Sequence, residues 1–345
     1  MKKKILVTGG TGYIGSHTAV ELINEGFDVV IIDNLYNSEK EVLDGIEKIS
    51  GKKPVLEIFD ICNNEKLDDF FSRNKDIAAI IHFAAYKAVS ESVSKPLDYY
   101  RNNLGSLINL LDSMKKYRIA NLVFSSSCTV YGQPEILPVT ENAALQPATS
   151  PYGNTKAVGE EIIRDTVFSD NNLRAIALRY FNPIGAHPSA LIGELPRGVP
   201  ENLVPYITQT AYGLRDELKV YGNDYDTPDG YCIRDYLHVV DLAKAHVVAV
   251  KRLIEEKNKS GYEVFNLGTG NGVSVIEAIR SFERVSGVKL KYKVVGRRPG
   301  DIEKIWADPA FANNELGWKT LSTLDEAMKS AWDWEKYIRT KSNSK

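Results

Sequence analysis

The pattern of apolar and polar positions predicts alternating strands and helices through the first half of the chain. Short apolar runs predict strands at 4–8, 28–32, 55–59, 79–83, 121–125 and 174–180. Apolar residues at helical spacing predict helices at about 14–25, 64–73, 97–117 and 152–168. Strands and helices that alternate at this spacing are typical of an α/β fold, in which helices cover both faces of a parallel sheet.

The chain changes character after Asn182. Residues 183–235 are rich in proline and glycine, which predicts a second lobe with long loops. A helix at about 239–256 and a strand at 264–267 are expected to return to the first domain and extend its sheet. We therefore predict a first domain over 1–182, rejoined by 236–268, and a smaller mixed α/β substrate lobe over 183–235 and 269–345.

A glycine-rich turn follows the first predicted strand. Gly9, Gly12 and Gly15 allow a tight turn, close approach of a ligand to the backbone, and close packing of helix on strand. A register through Gly10, Gly12 and Gly15 also fits the dinucleotide fingerprint. The positive end of the helix can then face a pyrophosphate. The order of strand, turn and helix predicts a Rossmann-type dinucleotide-binding domain.

The second predicted strand ends in an acidic residue, Asp33, 18 residues after Gly15. A carboxylate at this place can accept hydrogen bonds from both adenosine ribose hydroxyls and would repel a 2′-phosphate. The sequence therefore favours NAD over NADP as the cofactor.

Tyr152 and Lys156 lie four residues apart, just after a helix start marked by Ser150 and Pro151. Residues at this spacing share one helix face. A nearby cation favours the phenolate, and lowering the pKa of tyrosine by about three units corresponds to roughly 4 kcal/mol. We therefore expect Lys156 to make Tyr152 a proton acceptor near neutral pH. The structural alternative is a packed tyrosine beside a solvated lysine.

Ser127 follows the fifth predicted strand and can bridge a substrate alcohol and the phenol. Alone, it could equally be a strand-end hydroxyl that caps backbone groups. The carboxyl ends of parallel strands meet at one edge, where ligands bind. That edge is predicted to collect Asp60, Ile61, Phe83, Ala84, Ala85, Ser125, Tyr180 and Phe181.

Composition excludes several classes of function. The net charge of −2 gives no electrostatic case for nucleic acid or a membrane surface as a partner. Apolar stretches fall well short of the roughly 18 residues that a membrane-spanning helix needs. Cys62, Cys128 and Cys232 are isolated, which favours a reducing cytoplasm. The histidines lack ligand spacing, so no metal site is predicted.

Several long segments carry a family resemblance. They are residues 8–17, 83–89, 179–186, 222–230, 234–239 and 316–318. With these segments the chain resembles the extended short-chain dehydrogenases/reductases, and among them the UDP-hexose 4-epimerases, over nearly its whole length.

The resemblance implies a role for each matching position. Implied NAD contacts are Gly9, Gly12, Tyr13, Ile14, Gly15, Asp33, Asn34, Asn37, Ser38, Asp60, Ile61, Phe83, Ala84, Ala85, Lys87, Asn102, Ser125, Tyr152, Lys156, Tyr180 and Phe181. Implied UDP-sugar contacts are Lys87, Ser127, Tyr152, Tyr180, Asn182, Asn202, Leu203, Tyr221, Arg234, Arg298, Asp301 and Ile305.

The activity implied by the resemblance is NAD-dependent inversion at C4 of a UDP-hexose through a 4-keto intermediate. Tyr152, Lys156 and Ser127 would be the catalytic residues, and NAD would stay tightly bound throughout. The contacts that hold the substrate must lie on UDP so that the hexose can turn. A wide apolar stripe on the 97–117 helix, with the 152–168 helix beside it, predicts a homodimer, which matches the family.

Other activities remain to be weighed. A nucleotide-sugar 4,6-dehydratase would carry an Asp-Glu pair where this chain has Cys128 and Thr129. A 4-epimerase for UDP-N-acetylglucosamine or a UDP-uronate is less well separated, and Ile305 occupies the family's size gate. An NAD-sensing regulator without turnover should have lost the catalytic residues. Ala85 and Tyr86 replace the family's common Gly-Leu pair, a departure to which the sequence assigns no role.

Overall fold

The computed structural model describes residues 2–298 and 301–342. Its strands are β1 Lys4–Thr8, β2 Asp28–Asp33, β3 Val55–Ile58, β4 Ile77–His82, β5 Asn121–Ser125, β6 Arg174–Tyr180, β7 Asn182–Ile184, β8 Leu218–Tyr221, β9 Ile233–Arg234, β10 Tyr236–His238, β11 Tyr262–Leu267, β12 Val273–Ser274 and β13 Tyr292–Val295. Its helices are α1 Tyr13–Asn24, α2 Val42–Ser50, α3 Asn64–Arg73, α4 Val89–Ser94, α5 Pro96–Tyr117, α6 Pro151–Ser169, α7 Leu203–Ala211, α8 Val239–Ile254, α9 Val275–Ser286 and α10 Leu324–Ser342.

Seven parallel strands form the central sheet, in the order β11, β6, β5, β4, β1, β2, β3. From β1 the chain first moves outward through β2 and β3, and it then returns to β4 on the other side. The strand order therefore reverses between β1 and β4, which opens a crevice at the carboxyl ends of these strands. The predicted α/β fold class is confirmed.

Both faces of the sheet are buried. Ile5 and Val7 of β1 belong to one apolar core, and Leu6 between them belongs to the other. Helices α1 and α8 cover the first face, while α3, α5 and α6 supply apolar residues to the second. Because neither face meets solvent, the strands read as almost continuous apolar runs in the sequence.

The smaller lobe has a core of its own, built by α7, α9 and α10. Phe282 and Met328 are fully buried in it. Its strands form short pairs: β7 with β10 and β8 with β13 in parallel, and β9 with β12 antiparallel. In contrast, β11 lies at the edge of the main sheet and α8 covers it, although both follow the first part of the smaller lobe in sequence.

Sequence analysis placed no helices in the smaller lobe, and in the first domain it missed α2 and α4. Neither N-cap residue, Glu41 or Ala88, makes a side-chain hydrogen bond to the first turn, so no capping signal marks their starts. Gly45 lies inside α2, where glycine ordinarily weakens a helix. A Cβ at Gly45 would lie 2.6 Å from Cγ2 of Ile192. The glycine therefore allows α2 to pack closely against the segment that follows β7.

Candidate active site

A cleft of about 1380 Å³ lies at the carboxyl edge of the central sheet, where the smaller lobe covers it. Every residue predicted to contact the cofactor lines this cleft. Ser127, Asn182 and Asn202 from the predicted substrate site line it as well. Pockets for one small ligand commonly measure about 300–1000 Å³. The cleft is therefore large enough for two ligands side by side.

The glycine-rich turn forms one wall of the cleft. Gly9 has a positive φ of +70°, and a Cβ at Gly15 would lie 2.4 Å from the Gly9 carbonyl oxygen. A Cβ at Gly12 would meet only that same oxygen, at 3.2 Å, and Gly12 faces the cleft. Gly10 packs against β2 instead. The register through Gly9, Gly12 and Gly15 is thus the one that lines the cleft.

The start of α1 offers backbone donors to a ligand. Gly12 is its N-cap and has no side chain that could cap the first N–H groups. The first N–H groups of a helix lack partners within the helix and carry partial positive charge. This end of the cleft therefore suits a phosphate group.

Asp33 lies at the end of β2 and is only 8% exposed. Its Oδ2 accepts from the Thr11 backbone N–H at 3.1 Å, and its Oδ1 accepts from the Leu35 N–H at 2.9 Å and the Ser38 hydroxyl at 3.2 Å. An ionised carboxylate can accept about four hydrogen bonds. Asp33 thus holds the glycine-rich turn to the loop after β2, and it keeps acceptor capacity for a ligand hydroxyl.

Helix α6 brings Tyr152 and Lys156 into the cleft. Ser150 caps the helix by accepting from the Gly153 N–H at 3.1 Å, and Pro151 is its first residue. The ammonium of Lys156 lies 5.9 Å from the centre of the Tyr152 ring. It also donates to the Ser125 carbonyl at 2.6 Å. The two side chains therefore share one face of α6, and Lys156 is fixed to the end of β5.

Burial opposes the effect that Lys156 was predicted to have on the pKa of Tyr152. Burial raises the pKa of the Tyr152 phenol well above its usual value, and the neighbouring Tyr180 and Cys128 add to this effect. Interaction with the Ser127 hydroxyl acts in the opposite direction. Burial also lowers the pKa of Lys156 to about 8, against the influence of Glu160. The four-residue spacing predicts that two side chains share a helix face, but it does not predict how deeply they are buried. Burial has the largest effect on the pKa of both Tyr152 and Lys156.

Three consecutive serines at the end of β5 connect the site to its surroundings. Ser127 accepts from the Thr129 N–H at 3.2 Å and caps a short 3-10 turn, while it also interacts with Tyr152. The structure thus shows the capping role of Ser127, and its bridging role stays a prediction. The Ser125 hydroxyl lies 2.6 Å from the Tyr180 hydroxyl, and Ser126 donates to Glu160.

A buried ion pair lies beneath this serine segment. Glu160, one helical turn after Lys156, accepts from Nε of Arg179 at 2.9 Å, and the two side chains are only 5% and 7% exposed. Arg179 also donates to the Tyr131 hydroxyl at 2.9 Å. Breaking a buried pair by removing one partner costs about 3–5 kcal/mol. This network therefore holds β5, β6 and α6 together directly below the catalytic candidates.

Four predicted substrate residues form a charged cluster in the smaller lobe. They are Tyr221, Arg234, Arg298 and Asp301. Asp301 accepts from Nη2 of Arg298 at 2.6 Å and lies 3.9 Å from Nη2 of Arg234. The cluster is not part of the cleft lining. However, burial raises the pKa of Cys128, which lines the cleft, and the charge of Arg234 acts against this rise, so the cluster adjoins the cleft there.

Leu203 and Ile305 also lie outside the lining. Leu203 begins α7 and packs against the core of the smaller lobe. Ile305 is 2% exposed and belongs to an apolar cluster with Val130 and Phe181. Phe181 lines the cleft, so Ile305 can affect the shape of the cleft through its neighbours without facing it.

Sequence analysis missed two charged residues of the cleft, Glu194 and Arg197. Glu194 accepts from Lys87 at 3.1 Å and from Asn202 at 2.6 Å, and so joins the sheet edge to the smaller lobe. Arg197 donates to three backbone carbonyls of the loop that follows β2. Both lie in the irregular stretch after β7, where no periodicity or motif marks them.

Across residues 2–298 and 301–342, no group of three or more His, Cys, Asp or Glu side chains could hold a metal ion. No helix in the same ranges is long and apolar enough to cross a bilayer.

Comparison with known proteins identifies the family. Residues 6–331 match the family model described as GDP-mannose 4,6 dehydratase. The UDP-glucose 4-epimerase of Bacillus subtilis (strain 168) is 50% identical over 331 residues, which cover 96% of either chain. The chain belongs to the UDP-glucose 4-epimerase family. The Homo sapiens member of this family is 48% identical over 342 residues, covering 97% of both chains.

A solved structure of the UDP-glucose 4-epimerase family shares the whole architecture. It is the enzyme from Bifidobacterium longum in complex with NAD+ and UDP, which is 46% identical. The TM-score is 0.93, over 97% of this chain and 99% of that one. The predicted resemblance to the UDP-hexose 4-epimerases is therefore confirmed in both sequence and fold.

The matching family model is described as a dehydratase, so dehydration is an alternative reaction for this site. The resemblance places a dehydratase's Asp-Glu pair at Cys128 and Thr129. Burial raises the pKa of the Cys128 thiol to about 12, so the thiol stays protonated at neutral pH. The Thr129 hydroxyl is buried and has no hydrogen-bond partner among the described residues. A buried protonated thiol and a hydroxyl thus stand where a dehydratase would have two carboxylates, so the site fits epimerisation better.

Proposed function

We propose that this chain inverts the configuration at C4 of a UDP-hexose with NAD as its cofactor, and so interconverts UDP-glucose and UDP-galactose. One observation carries the proposal: Tyr152, Lys156 and Ser127 share a single cleft with a dinucleotide-binding turn. A proton acceptor beside a hydride-transfer cofactor is what oxidation and reduction of an alcohol require.

The residues of the cleft fit NAD. The free N–H groups at the start of α1 would hold the pyrophosphate, and Gly12 leaves room for it. Asp33 would accept from the adenosine ribose hydroxyls and repel a 2′-phosphate. Asn34 donates to Asp60 at 3.1 Å, and this pair gives the adenine end a polar edge. Lys156 would donate to the nicotinamide ribose.

The catalytic residues have distinct tasks in this proposal. Tyr152 takes the proton of the C4 hydroxyl, and Ser127 orients that hydroxyl between itself and the phenol. Bound NAD supplies the acceptor, and later the donor, of the C4 hydride, so the sugar passes through a 4-keto form. Burial opposes ionisation of Tyr152, and the Lys156 ammonium 5.9 Å from its ring supplies positive charge that favours the phenolate.

The arginine cluster would hold the UDP diphosphate. Arg234 and Arg298 share one carboxylate, Asp301, which leaves an excess positive charge beside the cleft. Guanidinium groups match phosphate oxygens in geometry. A grip on UDP leaves the hexose free to turn and present its other face. Asn182 Oδ1 is buried in the cleft wall without a partner among the described residues, and it can accept from a sugar hydroxyl.

Incubation of the purified protein with UDP-glucose tests this function. We expect UDP-galactose as the product in sugar analysis. A 4-keto-6-deoxy sugar would indicate a dehydratase, and unchanged substrate would indicate an NAD-sensing regulator. UDP-uronates in parallel reactions would reveal the alternative substrate class.

We expect the Ile305→Tyr variant to become more selective against N-acetylated substrates. Ile305 is 2% exposed beside Phe181, so a larger ring must push its neighbours or itself toward the cleft. Changes in pocket size usually discriminate by about 1–3 kcal/mol. Wild type should therefore interconvert UDP-N-acetylglucosamine and UDP-N-acetylgalactosamine measurably, and Ile305→Tyr should lower that kcat/KM by about tenfold relative to UDP-galactose.

The matched control for that experiment is Ile305→Leu, which conserves the volume of the side chain and should leave the ratio unchanged. An unaltered ratio in folded Ile305→Tyr would show that Ile305 does not shape the sugar pocket. Thermal melts separate this outcome from general overpacking.

A homodimer through α5 and α6 is also proposed. Leu107, Leu110 and Met114 of the predicted stripe face the core, but Leu97 and Ile108 are 62% and 45% exposed. These two lie three turns apart on one face of α5. We expect a dimer by light scattering at micromolar concentration, and a shift toward monomer in Ile108→Glu. A monomeric wild type at that concentration would contradict the proposal.

We further infer a cytoplasmic location. Cys62, Cys128 and Cys232 are all free thiols in the structure. Unpaired cysteines are typical of proteins in a reducing compartment.

A further inference from the structure

Tyr36 and Tyr86 form a tilted aromatic pair at the cleft. Their ring centroids lie 4.7 Å apart, with 35° between the ring planes. Tyr36 belongs to the loop after β2, and Tyr86 belongs to the loop after β4. Strand β1 lies between β2 and β4 in the sheet, so the glycine-rich turn lies between these loops. The pair therefore joins the two walls of the crevice, and both residues line the cleft.

The Tyr86 side of the pair is fixed to the helices behind it. Asn103 of α5 accepts from the Tyr86 N–H at 2.8 Å and donates to the Tyr86 carbonyl at 3.0 Å. The same amide donates to Thr155 of α6 at 3.1 Å. Tyr99, only 1% exposed, makes an edge-on contact with the Tyr86 ring at 5.6 Å between centroids. These contacts hold the backbone and the ring of Tyr86 in place.

The Tyr36 side is more exposed, with 52% of the residue open to solvent. Its loop is held by Arg197, which donates to the carbonyls of Tyr36 at 2.6 Å and Ser38 at 2.7 Å. Arg197 belongs to the stretch that follows β7, so the smaller lobe fastens this loop from the opposite side. The Tyr36 ring is therefore the exposed member of the pair, while its backbone is held by Arg197.

We propose that the Tyr36–Tyr86 ring pair is a latch that retains the dinucleotide in the cleft. This inference rests on the NAD site proposed above. The rings meet across the crevice with their centroids 4.7 Å apart, so in the proposed latch a dinucleotide between the two loops leaves after the rings separate. The latch also gives a role to Tyr86, the residue that departs from the family's common leucine. Neither hydroxyl is needed for it, because the contact is made by the ring faces.

The release rate of NAD tests the latch directly. The purified full-length protein is loaded with radiolabelled NAD and chased with excess unlabelled NAD, and retained label is followed by rapid gel filtration. Aromatic pairs contribute enough for removal of one ring to speed release by about threefold to tenfold. We expect this acceleration in both Tyr86→Leu and Tyr36→Leu. Tyr86→Phe and Tyr36→Phe, which keep both rings, should release NAD like wild type.

A double-mutant cycle distinguishes a paired latch from two unrelated contacts. If the rings act together, the Leu/Leu double variant releases NAD no faster than the faster single variant. Multiplied effects in the double variant, or unchanged release in the Leu variants, would overturn the inference. Tyr36→Leu alters an exposed ring, so it keeps the test valid if Tyr86→Leu fails to fold. Wild type that binds no labelled NAD after it has been stripped of its own nucleotide would instead contradict the proposed function itself.

Discussion

Tyr152→Phe is expected to lower the rate of UDP-galactose conversion by about a hundred- to ten-thousand-fold. The change removes the proton acceptor, and positioned general bases contribute rate factors of that size. It removes little volume from a partly buried site, so the fold should persist. Binding of NAD should also persist, because the ring remains. The measurement is kcat/KM for UDP-galactose, together with NAD content and thermal melting of the purified variant.

Tyr337→Phe is the matched control for that variant. Tyr337 lines the same cleft from α10 but is assigned no role in the reaction. Its loss of a hydroxyl should leave kcat/KM near the wild-type value. If Tyr152→Phe turned over at a near-normal rate, the assignment of the base would be wrong.

Asp33→Ala should weaken the binding of NAD by about tenfold to a hundredfold. Hydrogen bonds to charged groups contribute about 1.5–3 kcal/mol, and the variant loses the carboxylate that would accept from the ribose. It also frees the Thr11 and Leu35 N–H groups that Asp33 holds at 3.1 Å and 2.9 Å. Affinity is measured by calorimetry on protein stripped of nucleotide, with NAD and NADP titrated separately.

The comparison of the two nucleotides separates recognition of the ribose from damage to the loop. Loss of the negative charge should weaken the preference for NAD over NADP, whereas a disordered loop would weaken both alike. Asp33→Asn keeps the shape and removes only the charge, so it should show the same loss of preference with less loss of affinity. A purified Asp33→Ala protein that still carries full NAD would exclude Asp33 as the ribose ligand.

Local sequence patterns predicted most of the sheet and one side of the site. The glycine spacing at 9, 12 and 15 and the acid at Asp33 each depend on a short segment that folds the same way wherever it occurs. The helix start at Ser150 and Pro151 likewise placed Tyr152 and Lys156 on one face. The fold class followed from short apolar runs that alternate with segments of helical periodicity. The runs are apolar throughout because the sheet is buried on both faces.

Properties that depend on tertiary burial could not be predicted in this way. Lys156 was expected to lower the pKa of Tyr152, but burial by surrounding elements raises it. Glu194 and Arg197 act through residues more than a hundred positions away, in a stretch without periodicity. Tyr36 and Tyr86 lie in two loops that are far apart in the sequence, and their rings come into contact because the strand order brings these loops together.

The fate of the hydrogen at C4 tests the central claim most directly. UDP-galactose that carries deuterium at C4 is incubated with the purified protein, and the UDP-glucose formed is examined by mass spectrometry and NMR. Inversion through a hydride held within the cleft predicts UDP-glucose with the deuterium retained at C4. Product that has lost the label, or a sugar lighter by one water, would contradict the account.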